Sequence, residues 1–329
     1  MKLVSSLIFT VFVLLSISSC KKLNVDGEYQ PTSSTYKSEQ FLSQRKQPLD
    51  TIKFEIKESQ ERDTIIVFPD GNQIRFNLKE SIKDLWGNRI TGNIEFHYKA
   101  ALTHDEIIFE DKQTVANYEP LVSAGAYYFK VKKDGQTLKL ENYEISLKVE
   151  SPQDLDTEME VFLPSETPNG QFTWQNETVP PESMRFLFAN DTVTNPDSTI
   201  SSRNYWAYSP TLNDTLGWMN CDKFYNLNAP RTVYTLRFQQ EDIQLLDDMA
   251  VYVVFKNFRG VMRAYRNGDQ FELRSIPIGE PIYVAVVAFQ GIDLYFASYS
   301  TTTRANHIDN VEMQEADEES VIQALKNLQ

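Results

Sequence analysis

The chain predicts an all-β fold of two β-sandwich-like modules joined by a Pro-rich connector, with a short C-terminal α-helix. Three observations carry that expectation. Short segments rich in β-branched and aromatic residues recur with period-two alternation. Turn pairs that favour tight hairpins, Asp134-Gly135 and Asn267-Gly268, stand between such segments. A sustained helical stripe occurs at the C-terminus, where Val321, Ile322, Leu325 and Leu328 share one side. At 329 residues the chain also exceeds the usual size of one core and accommodates two domains of roughly 100 to 150 residues.

Residues 49–150 are expected to form the first module. Thr51 to Lys57 alternates, Thr64 to Phe68 is rich in β-branched residues, and Ile90, Gly92, Ile94, Phe96 and Tyr98 share one face. Between them, Leu78 to Trp86 reads as one or two helical turns, with Ile82, Leu85 and Trp86 on one side and Gly87 as a C-terminal cap. Ala126 to Val131 and Thr137 to Leu140 flank Lys133-Asp134-Gly135-Gln136, where Asp-Gly supplies the positive φ angles of a hairpin. Glu144 to Val149 alternates cleanly. This density of short strands in about 100 residues is the signature of a β-sandwich.

Residues 151–210 differ in texture. Pro152, Pro164, Pro168, Pro180, Pro181, Pro196 and Pro210 lie amid polar residues. Proline cannot donate into a ladder, so this segment is expected to connect the modules and to hold edge strands at most. The second module, residues 211–304, contains strand patterns at Thr232–Phe238, Met249–Phe258, Val261–Tyr265, Gln270–Leu273, Pro281–Phe289 and Leu294–Thr302. Val251, Val253 and Phe255 alternate with Tyr252, Val254 and Lys256; both faces are largely apolar, which places this strand centrally. Residues 305–329 form an acidic tail with the amphipathic helix. Glu315 to Glu319 and Lys326 suit its dipole, and a helix this short needs docking to be stable.

The N-terminus carries an address. Met1-Lys2 precedes an apolar run from Leu7 to Leu15, then Ile17-Ser18-Ser19-Cys20 and Lys21-Lys22. A positive start and a short apolar core describe an export signal, and the run is too short to cross roughly 30 Å of hydrocarbon. The stretch resembles the bacterial lipoprotein lipobox. That resemblance implies removal of residues 1–19 as a signal peptide, lipid on Cys20, and anchorage to the bacterial cell envelope at its outer membrane. Residues 20–48 are polar and are expected to be a tether. Acyl chains bury at about 0.8 kcal/mol per methylene, so two or three of them hold a protein on a bilayer. Lys21-Lys22 stand where a surface-display signal has acidic residues, which weighs against display and leaves leaflet orientation open.

A second resemblance rests on Phe68-Pro69, Gly71, Asp84-Leu85-Trp86-Gly87-Asn88, Ile90-Thr91-Gly92-Asn93-Ile94 and Ser123-Ala124-Gly125-Ala126-Tyr127. Over about residues 64–150 this pattern resembles the ZU5-like β-domain of Bacteroidota lipoproteins. Leu216-Gly217-Trp218-Met219-Asn220-Cys221-Asp222-Lys223-Phe224 is similar to the segment that joins this domain to a C-terminal β-domain in such lipoproteins. The resemblance implies an envelope lipoprotein of two β-modules, with binding as its activity and no enzyme chemistry to carry over. Asp-(Ser/Thr)-apolar triplets at Asp50, Asp63, Asp191 and Asp214 resemble O-glycosylation sites of exported Bacteroidota proteins. They also arise by chance in polar loops; Thr192 and Thr215 are the positions expected on exposed loops.

Formal net charge is −14, which repels nucleic acid and anionic membrane surfaces. No nucleic-acid partner is expected. With Cys20 lipidated, Cys221 has no partner for an internal disulfide. His97, His104 and His307 are too far apart in sequence for a local metal box, and no Gly-x-Ser-x-Gly, Walker or dinucleotide spacing occurs, so neither metal nor cofactor is expected. Cys221 sits between Asn220 and Asp222, an acid that raises a thiol pKa, and reads as a buried inert thiol. The local Gly-Trp-Met-Asn-Cys-Asp sequence reads as a buried turn.

The remaining feature is aromatic clustering at Tyr205, Trp206, Tyr208, Trp218, Phe224 and Tyr225. Such residues anchor sugars, peptides and protein partners, and they equally cement two modules together. As a site, Tyr205, Trp206 and Tyr208 are the expected ligand or partner contacts. The reading that follows is a lipid-anchored, non-catalytic binding or assembly module for an envelope protein or glycan. Two alternatives remain: an enzyme on envelope glycan using carboxylates in the inter-module cleft, with acids such as Asp247-Asp248, and a structural subunit whose exposed C-terminal stripe docks on a neighbour.

Overall fold

The computed structural model describes residues 37–57, 63–149, 154–168, 170–176, 183–194, 200–212, 216–239 and 248–328, with backbone alone for 188–194 and 200–205. The export signal, Cys20, most of the tether, Asp247 and Thr215 lie outside the described residues.

Helix α1 (Lys37–Ser43) precedes β1 (Asp50–Ile56), β2 (Asp63–Val67), β3 (Gln73–Asn77), β4 (Ile82–Lys83) and β5 (Gly92–Ala101). Helix α2 (His104–Glu110) leads into β6 (Val115–Ala116), β7 (Glu119–Lys133), β8 (Gln136–Thr137), β9 (Lys139–Leu140) and β10 (Tyr143–Val149). Then come β11 (Glu160–Glu166), β12 (Phe172–Gln175), β13 (Met184–Thr194), β14 (Ile200–Pro210) and β15 (Gly217–Phe224). The C-terminal part holds β16 (Arg231–Phe238), β17 (Met249–Phe255), β18 (Val261–Asn267), β19 (Gln270–Pro277), β20 (Pro281–Gln290), β21 (Asp293–Thr302), β22 (His307–Val311), β23 (Gln314–Glu315) and α3 (Glu318–Lys326). The protein is all-β, as expected.

The first module is a sandwich. One sheet runs β1-β5-β7-β15-β11-β12-β6 and the other β13-β14-β10-β3-β2. Ile94, Phe96, Tyr98 and Phe129 from the first sheet meet Ile74, Phe76, Ile145 and Leu147 from the second in one buried cluster. The alternation that sends Ile94, Phe96 and Tyr98 to the same side is the one read from sequence. Strand β7 is the spine, pairing β5 along one edge and β15 along the other. A register shift at Cys221/Asp222 faces Gly125, whose φ is +140°. A Cβ at Gly125 would lie 2.6 Å from Leu102 Cδ2 and 2.8 Å from Tyr127 Oη, so only glycine fits this bulge.

The segment expected as a connector contributes β11, β12, β13 and β14 to the sandwich itself. Proline is accommodated because β11 changes partners along its length. Glu160–Phe162 pair with β15, while Leu163–Glu166, which include Pro164, pair with β12. Pro164 therefore stands where the strand has one neighbour, the kind of edge position at which proline is tolerated in a sheet. The Gly217–Asp222 stretch is likewise strand β15, not a turn, and it pairs with β7 of the first module.

The second module is a sheet of order β22-β16-β19-β18-β17-β20-β21-β23. It folds over at β18, where Val261–Ala264 pair with β17 and Tyr265–Asn267 with β19. Strand β17 is central, as its two apolar faces predict. Val251, Val253 and Phe255 enter the module's own core, and Ala250, Tyr252 and Val254 enter a cluster shared with the first module. Both hairpin signals hold: Asp134-Gly135 joins β7 to β8, and Gly268-Asp269 closes the β18–β19 loop after Asn267.

That shared cluster draws on both modules and all three helices, through Phe41, Leu42, Ile107, Ile108, Val321 and Leu325 among others. Residues 37–48 are thus not free tether. Seven helical residues are too few to display a period, yet Phe41 and Leu42 bury and Ser38 and Lys37 donate backbone N–H groups to Asp248 at 2.9 and 3.0 Å. The C-terminal stripe is covered within the chain, Val321 and Leu325 being fully buried, so it is not the exposed docking surface of the structural-subunit alternative. Leu78–Trp86 forms turns around β4 and no helix. The Asp84 carboxylate accepts from the N–H groups of Trp86 and Asn88 at 2.9 and 2.8 Å, fixing a tight turn that leaves Leu85 and Trp86 exposed.

Candidate functional site

The aromatic residues picked out by sequence do not converge. Tyr208 is buried in the sandwich core, its hydroxyl accepting from Asp156 N at 2.8 Å and donating to Asp154 O at 3.2 Å. It is a core residue, which removes it as a ligand contact. Trp206, two positions earlier on β14, packs half-buried on the same core, as the period of a strand dictates. Tyr205 lies opposite Ala189 on β13, its side chain outside the description. Trp218 belongs to the other core, against Tyr128 with centroids 5.5 Å apart, because β15 pairs with β7 and not with β14. Tyr225 stacks on Phe258 at 4.3 Å, joining the modules. Trp218 and Tyr225 thus tie the modules together, whereas Trp206 and Tyr208 pack within the first.

Thr192 lies in strand β13, opposite Ser202, and not in a loop. Cys221 is fully buried; burial first, then the neighbouring Asp222, pushes its thiol well above the ordinary range. Asp222 is itself buried with one carboxylate oxygen lacking a partner, and burial raises its pKa well above the ordinary value. No group of three or more metal-ligating side chains occurs among the described residues.

A cleft with a volume of about 190 Å³ opens between the modules. Its first wall comes from Gln113, the β6–β7 turn and the loop before β12; its second is the β18–β19 hairpin. Gln113 sets the walls in register. Its side-chain amide donates to Phe172 O and to Tyr265 Oη, both at 2.7 Å, its side-chain carbonyl accepts from Arg263 N at 2.9 Å, and its main-chain carbonyl accepts from Trp174 Nε1 at 2.8 Å. Such fully used buried amides rigidify a site.

Charge in the cleft is inverted relative to the whole protein. Among the described residues, Arg263, Arg266 and Arg274 line it with one acid, Glu272. Burial opposes the Arg263 cation, but Asp111 and Glu39, both ion-paired with it, outweigh burial and raise its pKa. Arg263 is therefore structural. Arg266 and Arg274 stand exposed at the rim, the former oriented by a 2.9 Å bond from Nε to Gly268 O. Glu272 accepts from Gln270 Nε2 at 2.8 Å.

Tyr118 is the other rim group. Asn117 and Tyr118, with φ of 51° and 66°, form the two-residue turn between β6 and β7. This turn favours glycine at its second position, so holding a tyrosine there costs on the order of 1 kcal/mol or more. The turn is fixed across the interface by Glu119, which accepts from Ser275 Oγ at 2.6 Å and pairs with Arg231 at 2.9 Å. The result is a strained, 39 % exposed ring facing a cleft. Sequence reading missed it because Gln113 and Tyr118, Phe172, and Arg266 come from three distant segments; Asn117-Tyr118 between strand-forming residues is the one local signal.

Glycoside hydrolysis by paired carboxylates needs two acids across a cleft, and among the described residues of the lining Glu272 is the one acid. The chemistry present is guanidinium, amide, hydroxyl and aromatic. Comparison of the chain with protein-family models, with curated proteins and with solved structures finds no match.

Proposed function

We propose that this protein is a lipid-anchored, non-catalytic component of the bacterial cell envelope that uses its inter-module cleft to bind a partner, glycan or protein. The observation that carries the reading is the cleft itself: rigid walls from two interlocked modules, recognition groups at the rim and a single carboxylate among the described lining residues. The lipobox at Ile17–Cys20 supports anchorage, and the likeness of residues 64–150 to ZU5-like domains of Bacteroidota lipoproteins supports binding over catalysis.

Crosslinking of the natively anchored protein in its own cells, followed by mass spectrometry, tests the reading. It expects one stoichiometric partner whose capture falls at least tenfold in the Arg266→Glu/Arg274→Glu variant. Capture unchanged by that variant would remove the cleft from the function. Labelled fatty acid incorporated by the wild type and absent from Cys20→Ala checks the anchor.

A further inference from the structure

We propose that β2 is a self-association site: two copies of this chain pair their β2 strands antiparallel about a two-fold axis at Ile65. Strand β2 ends the five-stranded sheet of the first module, with β3 as its one neighbour among the described residues. Phe68 N donates to Asn72 O at 2.8 Å where the β2–β3 hairpin closes, so by the alternation of an antiparallel ladder Ile66 and Thr64 also bond towards β3. The main-chain N–H and C=O groups of Asp63, Ile65 and Val67 therefore face outward. Proteins normally guard such an edge with charge, proline or a bulge. Strand β1, which ends the facing sheet, carries exposed Lys53 and Glu55. Thr64–Val67 has no charge and no proline, and its register with β3 is unbroken. Its outer face shows Ile65 and Val67, 41 % and 53 % exposed.

The order of residues along β2 names a second copy as the occupant. Paired about Ile65, Asp63 stands opposite Val67 of the partner subunit, Thr64 opposite Ile66 of the partner subunit, and Ile65 opposite Ile65 of the partner subunit. Each outward N–H then meets an outward C=O, since 63, 65 and 67 are the outward set in both strands. No like charges face each other, and the Ile–Ile and Thr–Ile pairs are β-branched contacts that suit a pleated surface. The same operation on β1 would set Lys53 against Lys53, so β1 is not self-complementary. The contact is isologous and closes at two copies, joining two five-stranded sheets into one. Five residues a side make a small interface, which sets the expected dissociation constant at roughly 10–100 μM. None of β2 lines the cleft, so this proposal stands apart from the binding reading.

The test is sedimentation equilibrium of the unlipidated mature chain from about 1 μM to about 1 mM, with residue-resolved hydrogen exchange at both ends of that range. The expected result is a monomer–dimer equilibrium in which the Ile65 and Val67 amides gain protection only at high concentration, while Thr64 and Ile66 are protected at both. Ile65→Lys should weaken association at least tenfold while unfolding at the wild-type midpoint, since the side chain is exposed. Val67→Glu sets a carboxylate opposite Asp63 of the partner subunit and should weaken it likewise; adding Asp63→Lys should restore it, as this register alone requires. A monomer throughout, or a dimer unaffected by Ile65→Lys, would overturn the proposal. So would Ile65 and Val67 amides that exchange freely in a dimer, or that are already protected in the monomer because the chain covers its own edge. The exchange measurement on the wild type decides the matter should a variant fail to fold.

Discussion

Thr114 and Val261 hold the two modules together by exchanging hydrogen bonds. Thr114 N donates to Val261 O at 2.8 Å, and Val261 N donates to Thr114 Oγ1 at 2.7 Å. Both residues are fully buried. Next to them Ser123 N donates to Arg259 O, and Arg259 Nη1 returns a bond to Ala124 O, each at 2.9 Å. Thr114→Val keeps the shape and strands the Val261 N–H away from water. Such a group costs about 1–3 kcal/mol. Denaturant unfolding should show that loss, and Thr114→Ser should recover most of it.

Two tryptophans should respond in opposite ways. Trp174 is fully buried, with its indole N–H on Gln113 O, and Trp174→Ala should cost about 3–5 kcal/mol. Trp86 is 81 % exposed on the Asp84 turn, and Trp86→Ser should change stability by less than about 0.5 kcal/mol. Equal losses in chemical denaturation would contradict the fold.

Stability should fall on mild acidification. His104, His97 and His307 have pKa values lowered from the ordinary 6.5, with burial as the first cause in each. A depressed histidine contributes stability above the unfolded value, and that contribution is lost as pH drops below 6.5 towards the folded value. With Nε2 accepting from Gly260 N at 3.3 Å, neutral His104 carries its proton on Nδ1 and donates it to Leu328 O at 2.9 Å. His104→Gln should therefore flatten the fall in unfolding midpoint between pH 8 and pH 5.

Asp222 has the opposite sign. Its folded pKa is raised by burial, so the acid is most stabilising below the ordinary 3.8 and loses that contribution as pH rises. Asp222→Asn should raise stability more at pH 8 than at pH 4, whatever its constant cost. An equal effect at both pH values would mean that Asp222 titrates normally.

Capping the last helix should be measurable by itself. Asp317 accepts from Ser320 N at 2.9 Å, and Asp317→Ala should cost about 1 kcal/mol through α3.

The legible parts of this fold were those written in local alternation. Ile94, Phe96 and Tyr98 announce one face of β5, the doubly apolar β17 announces its central place, and Val321 and Leu325 announce α3. Segments of seven residues were harder. Helix α2 carries its signal in the Thr103–Glu106 capping box, which the sequence reading passed over, whereas α1 shows little beyond Phe41 and Leu42. Pairing across distance was not legible. Nothing near Gly217 says that β15 sits beside β7, so the aromatic residues around it looked like one cluster when they divide between two cores. The cleft was hidden for the same reason, being assembled from segments that meet only when the modules do.

The central claim is that the anchored protein works through its cleft, and a photoreactive residue at Tyr118 in the natively anchored protein tests it most directly. The same residue at Ile308, exposed on the second module away from the lining, serves as control. The account predicts one stoichiometric adduct from position 118, suppressed in the Arg266→Glu/Arg274→Glu background, and only scattered products from position 308. Adducts of equal yield from both positions, or a specific adduct from 308 alone, would contradict it.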